Sequence, residues 1–231
     1  MSSIVLCNTG ADSLSFITLD TLEVKKILFA LSETPVGPHG IRKYKDEILT
    51  ANNYSDSISI FTCDPLIESR NIKIGPKPND LLRVEDKIYT ICGESNSIVE
   101  YDLSQNRVSW EIETGSWPHS IDMDFNNKLL FVSNLESDSI TVISMNNYDT
   151  VENIQVPEYP TKIRVSNDKK RIYICCSYLG KDKRGYIDVI NIGNFQKIAR
   201  VMVGYSPIDM IEDDDNIYVS NFTDGTISVI A

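Results

Sequence analysis

The stretch VSNLESDSITVIS, from Val132 to Ser144, is nearly repeated as VSNFTDGTISVIA, from Val219 to Ala231. Each copy has an apolar segment that ends in VSN, a short polar turn and a second segment after the turn. In the second segment apolar residues alternate with polar ones, which is typical of a half-buried β-strand. The two copies therefore predict a repeated β-hairpin, and periodicity along the whole chain becomes the first question.

The same hairpin pattern recurs along the chain at spacings between 40 and 45 residues. An apolar segment precedes the Asn position of each copy, and an alternating segment follows the turn. We call this Asn position the column, and its members are Asn8, Asn52, Cys92, Asn134, Cys176 and Asn221.

A second motif, [Gly or Pro]-x-x-Pro-x-x-[apolar], occurs between the hairpins. Proline has a fixed φ and no N–H group, so it suits the first residue of a strand better than the middle. Another β-like segment precedes each motif, so the repeat holds four short strands. The strand-initial prolines of the motif are Pro38, Pro78, Pro118, Pro160 and Pro207.

Four-stranded units of this period, without helical periodicity, predict an all-β fold: a β-propeller of four-stranded antiparallel blades. We expect one domain, residues 1–231. If the strands of a blade are named A to D in chain order, the first blade lacks strand A and the last lacks strand D. We favour six blades, with the first and last incomplete; five blades are the alternative.

The repeat resembles the YVTN-type β-propeller family, whose pattern is G-x-x-P-x-x-I, an L-Y-V-x-N strand and then S-D-T-V-S-V-I-D. The likeness is clearest at Gly115–Ser144 and Gly204–Ala231 and extends over nearly the whole chain. It implies similarity to YncE-like and surface-layer-associated propeller proteins. Members of this family differ in function, so the resemblance implies a fold rather than an activity.

Composition argues against several classes of partner. A net charge of −11 opposes binding to nucleic acid or to an anionic membrane surface, and the apolar runs are too short to cross a bilayer.

The N-terminal residues lack a signal-peptide pattern, which predicts a cytoplasmic protein; a cell-surface location, by family analogy, is the alternative. The cysteines lack zinc or redox spacing, and we expect reduced thiols.

Polar side chains follow the strand-initial prolines, where we expect one mouth of the central channel. The only two histidines occupy equivalent places there, one residue after the proline. Two histidines are too few for a metal site, so a ligand-binding role competes with a structural role in which each ring bonds a loop or a neighbouring blade. The candidate ligand-binding residues are His39, Asn79, Asp80, His119, Lys162 and Asp209.

Aromatic residues before two of the prolines, and a basic hairpin in blade 5, are candidate partner contacts. The hairpin Ser177–Gly185 is longer than its equivalents and contains the densest basic cluster of the chain. Exposed loops often carry function, although a tolerated insertion, and packing between blade loops for the aromatic residues, explain the same pattern. The candidate residues are Trp117, Tyr159, Lys181, Lys183 and Arg184.

Two further groups are interpreted structurally. We interpret the Asn residues of the column as turn residues, because Asn tolerates left-handed geometry and bonds its local backbone. The acidic run Glu212–Asp215 is interpreted as a solvated loop.

A non-enzymatic binding or scaffold protein is the first functional hypothesis, with a protein or a small polar ligand as the partner. It rests on the regular repeat and on the lack of nucleotide-binding, serine-hydrolase and metalloprotease motifs. A small propeller enzyme, either a lactonase-like hydrolase or a quinoprotein-like redox protein, is the alternative. We predict no catalytic residue, no metal site and no cofactor, and the sequence does not indicate an oligomeric state.

Overall fold

The computed structural model of the 231-residue chain consists almost entirely of antiparallel β-strands. It describes residues 3–32, 35–213 and 216–231. Over these residues 22 strands form six separate sheets, and the one helical element is a 3-10 turn at Thr9–Ala11. The fold is all-β, and the sheets are the blades of a six-bladed β-propeller.

The first and last blades have three described strands each, so strand A of blade 1 and strand D of blade 6 are the two missing strands, as the repeat predicts. Blade 1 consists of β1 (Ser3–Asn8), β2 (Ser13–Thr18) and β3 (Glu23–Leu28). Blade 6 consists of β20 (Pro207–Glu212), β21 (Ile217–Asn221) and β22 (Thr226–Ile230).

The four middle blades have all four strands in simple A-B-C-D order. Blade 2 contains β4 (Pro38–Tyr44), β5 (Glu47–Asn52), β6 (Ser57–Cys63) and β7 (Leu66–Lys73). Blade 3 contains β8 (Pro78–Val84), β9 (Lys87–Cys92), β10 (Ser97–Asp102) and β11 (Arg107–Glu113). Blade 4 contains β12 (Pro118–Asp124), β13 (Leu129–Asn134), β14 (Ser139–Ser144) and β15 (Thr150–Gln155). Blade 5 contains β16 (Pro160–Val165), β17 (Arg171–Cys176), β18 (Arg184–Asn191) and β19 (Lys197–Tyr205).

Every described A strand begins at a strand-initial proline, as its fixed φ and missing N–H predict. The residue after the proline is left out of the pairing with strand B, which is a β-bulge. A bulge turns a side chain away from the regular alternation of the strand. The bulged residues are His39, Asn79, His119, Thr161 and Ile208.

The chain divides into two compact units, Met1–Glu113 with blades 1 to 3 and Thr114–Ala231 with blades 4 to 6. Within each unit successive blades pack face to face through their apolar side chains. In unit 1, Ile58 and Ile60 of blade 2 share a buried cluster with Leu81 of blade 3. Burial of this kind contributes about 25 cal/mol for each Å² of apolar surface removed from water. The expectation of one domain stays a prediction.

One loop expectation changes in the structure. Glu212 ends strand β20, and its carboxylate accepts a 2.7 Å hydrogen bond from the backbone N–H of Asn167. The acidic run therefore begins within a strand rather than in a solvated loop, while residues 214 and 215 lie outside the described part of the chain.

In the described residues, no helix has the length and apolar character needed to cross a membrane.

Candidate functional site

The turn before each A strand ends in a residue with left-handed backbone geometry, with φ between 50 and 57°. Its carbonyl accepts a hydrogen bond from the residue that follows the column position of the same blade, as Trp117 does from Leu135 at 2.9 Å. The backbone therefore fixes where each bulged side chain emerges. The left-handed residues are Gly37, Lys77, Trp117, Tyr159 and Ser206.

The two histidines are bulged residues of blades 2 and 4, and the next blade holds each ring. Nδ1 of His39 lies 2.8 Å from the carbonyl oxygen of Asn79, and Nδ1 of His119 lies 2.6 Å from that of Thr161. A carbonyl oxygen can only accept, so Nδ1 carries the proton and donates in both rings. In the neutral ring Nε2 is then the acceptor nitrogen, and its direction is set by the blade-to-blade contact.

Unit 1 brings His39, Asn79 and Asp80 together where blades 2 and 3 meet. The buried Asp80 carboxylate pairs with the Arg42 guanidinium at 2.8 Å, so its charge is compensated across the two blades. Gly40 permits this approach, because a Cβ at that position would lie only 2.6 Å from the Asn79 carbonyl oxygen. Asp80 and Asn79 are therefore part of the blade contact, while His39 is exposed on it.

Unit 2 brings His119, Lys162 and Asp209 onto its own series of A strands. Beyond the His119 contact, the Thr161 hydroxyl donates to the carbonyl of Pro207 at 2.7 Å, so blades 4, 5 and 6 are linked in sequence. Nζ of Lys162 lies 3.4 Å from a carboxylate oxygen of Asp209, whose side chain is largely exposed. The Lys162 side chain is mostly buried, and an ion pair with one exposed partner contributes little to stability.

The aromatic candidates Trp117 and Tyr159 occupy equivalent left-handed positions in blades 4 and 5, and both are half-buried. The N–H of Tyr159 donates to the carboxylate of Asp138 at 2.9 Å, and its carbonyl accepts from Ser177. These bonds tie the backbone of Tyr159 to blades 4 and 5. The role of the two aromatic side chains as partner contacts stays a prediction.

The basic hairpin of blade 5 connects β17 to β18, and its tip is exposed. Each of its cations already has an internal contact. Lys181 forms an ion pair with Glu158, Lys183 lies 3.9 Å from the ring centre of Tyr178, and Arg184 Nε donates to the carbonyl of Val203 at 2.8 Å. The hairpin is therefore an ordered basic surface rather than a loose insertion.

The described residues show no cluster suited to metal binding, and three of their thiols are poorly reactive. No cluster of three or more His, Cys, Asp or Glu side chains able to hold a metal lies among them. The five cysteines are unbridged thiols. Burial, helped by the nearby Glu111 carboxylate, raises the pKa of Cys92 to about 12, and burial also raises the pKa of Cys175 and Cys176 well above the ordinary value. Because the thiolate is the reactive form, these thiols are poor nucleophiles at neutral pH.

The column asparagines have a structural role, but the mechanism predicted from the sequence is wrong. They end strand B instead of occupying the turn, and each side-chain amide donates to two hydroxyl groups of strand C rather than to backbone. Asn134, for example, donates to Ser139 at 3.1 Å and to Thr141 at 2.9 Å. The left-handed turn residue comes four positions later, as at Asp138. Equivalent bonds are made by Asn8, Asn52 and Asn221.

Sequence analysis missed this arrangement, although its signal is present. Where the column residue is Asn, strand C offers two hydroxyl residues, two positions apart. Where the column holds Cys92, the second of these positions is Val99, and where it holds Cys176, the position is Asp188. Asn therefore occurs where both acceptors are present.

Comparison with solved structures shows a likeness of fold. The chain aligns with a "putative 6-phosphogluconolactonase" from Bacteroides uniformis at a TM-score of 0.76 and 17% identity, covering 98% of this chain and 76% of the other. A Bacteroides caccae protein of unknown function gives 0.72 and 16%, covering 96% and 83%. Hydrazine synthase of Kuenenia stuttgartiensis gives 0.72 and 15%, covering 87% and 68%. No protein-family model and no curated protein matches the chain. At these identities the likeness carries the fold and not the activity.

Proposed function

We propose that the protein is a non-enzymatic binding or scaffold propeller that recognises a small polar ligand or a protein loop at the bulged A-strand positions. The observation that supports this most is the fixed orientation of His39 and His119 by carbonyls of the next blade. A preorganised acceptor nitrogen binds with a smaller loss of side-chain freedom than a mobile one. The ion pair of Lys162 with the exposed Asp209 adds charge to the site of unit 2.

The lack of an activated nucleophile among the described residues favours binding over catalysis. A lactonase-like hydrolase remains the second candidate, because one structure that shares the fold has a lactonase name. An assay of gluconolactone 6-phosphate hydrolysis, monitored through the acid that is released, distinguishes a binding protein from a hydrolase. The binding proposal expects a rate equal to that of buffer, whereas turnover that His39→Ala or His119→Ala reduces would favour the enzyme.

Further parts of the proposal rest on the sequence alone. We assign the repeat to the YVTN-type, YncE-like propellers. We place the protein in the cytoplasm and expect a partner other than nucleic acid or a membrane. The A strands that begin at the prolines of the motif support the family assignment, and the net charge of −11 supports the exclusion of polyanions.

The two histidines make a direct binding experiment possible. Protein labelled with ¹³C in its histidines gives one ring Cε1–H signal for each ring, and single His→Gln variants assign them. We titrate with inorganic phosphate, 6-phosphogluconate and citrate as probes. The proposal expects at least one probe to move a histidine signal in a saturable way, with about tenfold weaker binding in the corresponding His→Ala variant.

The matched control is Phe125→Ala, which removes an exposed ring from the turn after β12 and changes no bulged position. This variant should leave probe binding unchanged. The histidine variants should stay folded, because the packing residues two positions on, Ile41 and Ile121, are retained. If no probe moves either signal, or if His→Ala lowers the stability of the protein and leaves its affinity for the probe unchanged, the histidines are structural and the proposal fails.

A further inference from the structure

A groove of about 490 Å³ lies between blades 4 and 5, and we call it the 4–5 groove. The A–B turn of blade 4 and the A–B and C–D turns of blade 5 line it. The A strands of these blades begin beside the bulged residues and end at the A–B turns, so the groove lies at the opposite end of the blades from those residues. All three turns belong to the second compact unit, and the volume suits a small molecule.

Part of the lining of the 4–5 groove is apolar. Ile192 belongs to the buried cluster of blades 4 and 5, and the half-buried Leu129 and Phe195 pack against that cluster. The backbone of Phe195 is left-handed, with φ of 56°, and its N–H donates to the carbonyl of Asn191 at 2.9 Å. An aromatic side chain in an ordered turn offers a surface on which the ring of a ligand can stack.

Two adjacent cations, Lys169 and Lys170, also line the 4–5 groove, and none of the described residues of the lining is acidic. Neither ammonium group forms an ion pair with a described carboxylate. The preceding residue, Asp168, is paired with Arg171 at 2.9 Å and accepts from the backbone N–H of Lys170. A concave surface lined by charge of one sign attracts the opposite charge, so the groove favours an anion although the whole chain is acidic.

The side chain of Asn191 adds a neutral donor. Its Oδ1 accepts from the N–H of Gly193 at 2.8 Å, which identifies the other amide atom as Nδ2. No described residue accepts a hydrogen bond from this Nδ2. The N–H of Ile192 donates to the carbonyl of Lys170 at 3.0 Å, so the two turns of blade 5 are joined. The backbone that carries these polar groups is therefore formed before a ligand binds, which reduces the entropy cost of binding.

We propose that the 4–5 groove is a second binding site, which takes a small aromatic anion: a ring that carries a phosphate or a carboxylate group. The ring packs against the apolar part of the lining. The anionic group binds the ammonium groups of Lys169 and Lys170 and the amide of Asn191, because a lysine binds such groups as a point charge. The site is distinct from that of the two histidines, which lies at the other end of the blades.

Fluorine NMR tests the proposal at the groove itself. Protein labelled with 4-fluorophenylalanine gives one signal for each of its seven phenylalanines, and Phe195→Leu assigns the signal of the groove. We titrate with phenyl phosphate and with benzoate. At least one of them should move the Phe195 signal in a saturable way, and the tighter one identifies the anionic group. The signal of Phe222, in the B–C turn of blade 6, should stay fixed.

Two further probes carry only half of the proposed chemistry. Inorganic phosphate has the charge without the ring, and benzyl alcohol has the ring without the charge. Each should bind at least about tenfold more weakly than the better aromatic anion, because each loses one set of contacts.

A lysine variant tests the charge of the groove. Lys169→Gln should weaken binding of the aromatic anion about tenfold, as measured from the Phe195 signal. Lys45→Gln is the matched control, because Lys45 is the left-handed residue of the A–B turn of blade 2 and its loss changes the net charge equally. It should bind as wild type does. Lys170→Gln repeats the test in case circular dichroism shows that Lys169→Gln is not folded.

Three results would overturn the proposal. A Phe195 signal that neither aromatic anion moves would show that the groove does not bind this class of ligand. Inorganic phosphate that binds as tightly as phenyl phosphate would leave the apolar lining without a role. Equal losses of affinity in Lys169→Gln and Lys45→Gln would show an effect of net charge rather than of the groove.

Discussion

At the level of single residues, the column asparagine links strands B and C. Its amide donates to two buried hydroxyl groups, as in Asn134 with Ser139 and Thr141. Removing the amide leaves those hydroxyl groups without this donor inside the blade, and an unsatisfied buried polar group costs more than the net value of one hydrogen bond. The four-fold recurrence of the arrangement makes it the most specific polar feature of the repeat.

We predict that Asn134→Cys lowers the free energy of unfolding by about 2 kcal/mol. The double variant Asn134→Cys with Thr141→Val copies the pair found in blade 3, Cys92 and Val99. It should recover part of the loss, because the second hydroxyl is removed together with its donor. Urea denaturation of the wild type, the single variants and the double variant measures this coupling. Simple additivity of the single losses would contradict it.

At the level of elements, the turn before each A strand departs from the usual behaviour of a residue that precedes proline. Such residues favour extended geometry, yet Lys77 has φ of 53°. Two hydrogen bonds hold it there. Its N–H donates to the Asp56 carboxylate at 3.0 Å, and its carbonyl accepts from Gly93 at 2.8 Å. Tertiary bonds to the B–C hairpins of blades 2 and 3 therefore override a local preference.

We predict opposite orders of stability for Gly and Val at two lysines. At Lys77 the left-handed backbone makes Lys77→Gly neutral or slightly stabilising, and Lys77→Val destabilising by about 1–2 kcal/mol. At the control position, exposed Lys25 in strand β3, Val should be more stable than Gly, since strands favour β-branched residues. Thermal and urea unfolding of the four variants give the comparison. The same order at both sites would contradict a left-handed Lys77.

At the level of the whole molecule, stability depends on apolar contacts between blades, and buried thiols are part of those contacts. Cys92 is completely buried in the cluster of blades 2 and 3, and its pKa is raised to about 12 by burial. In the unfolded chain the thiol ionises near pH 9. A raised pKa in the folded state means that this contribution is full below about pH 9 and is lost as the pH rises toward 12.

We predict that the free energy of unfolding falls as the pH rises above about 9, with Cys92 alone accounting for about 1.4 kcal/mol at one pH unit above its unfolded pKa. Urea titrations at a series of alkaline pH values measure the slope. Cys92→Ala should start from lower stability, because it leaves a cavity, but should show a shallower slope. Identical slopes for the two proteins would contradict the assignment.

Local sequence patterns were sufficient for the strands and their order. Strand alternation has a period of two residues and proline restricts its own φ, so the strand starts at Pro38 and Pro118, and the missing strands of blades 1 and 6, follow from nearby residues alone. The candidate site was predicted in part. The repeat placed His39 and His119 at equivalent positions, and the bonds to carbonyls of the next blade emerged only from the fold.

The bonds of the column asparagines, which sequence reasoning missed, are local, but the other missed features depend on residues distant in the chain. The hydrogen bond from His39 reaches a carbonyl 40 residues away, and the left-handed geometry of Lys77 depends on Asp56, 21 residues earlier. Whether an apolar residue is buried also depends on the neighbouring blade: Ile227 and Ile58 occupy the same repeat position, yet one is exposed and the other is buried. Alternation shows which residues share a face of a sheet, but a face is covered only when another sheet packs on it, and that is a property of the tertiary structure.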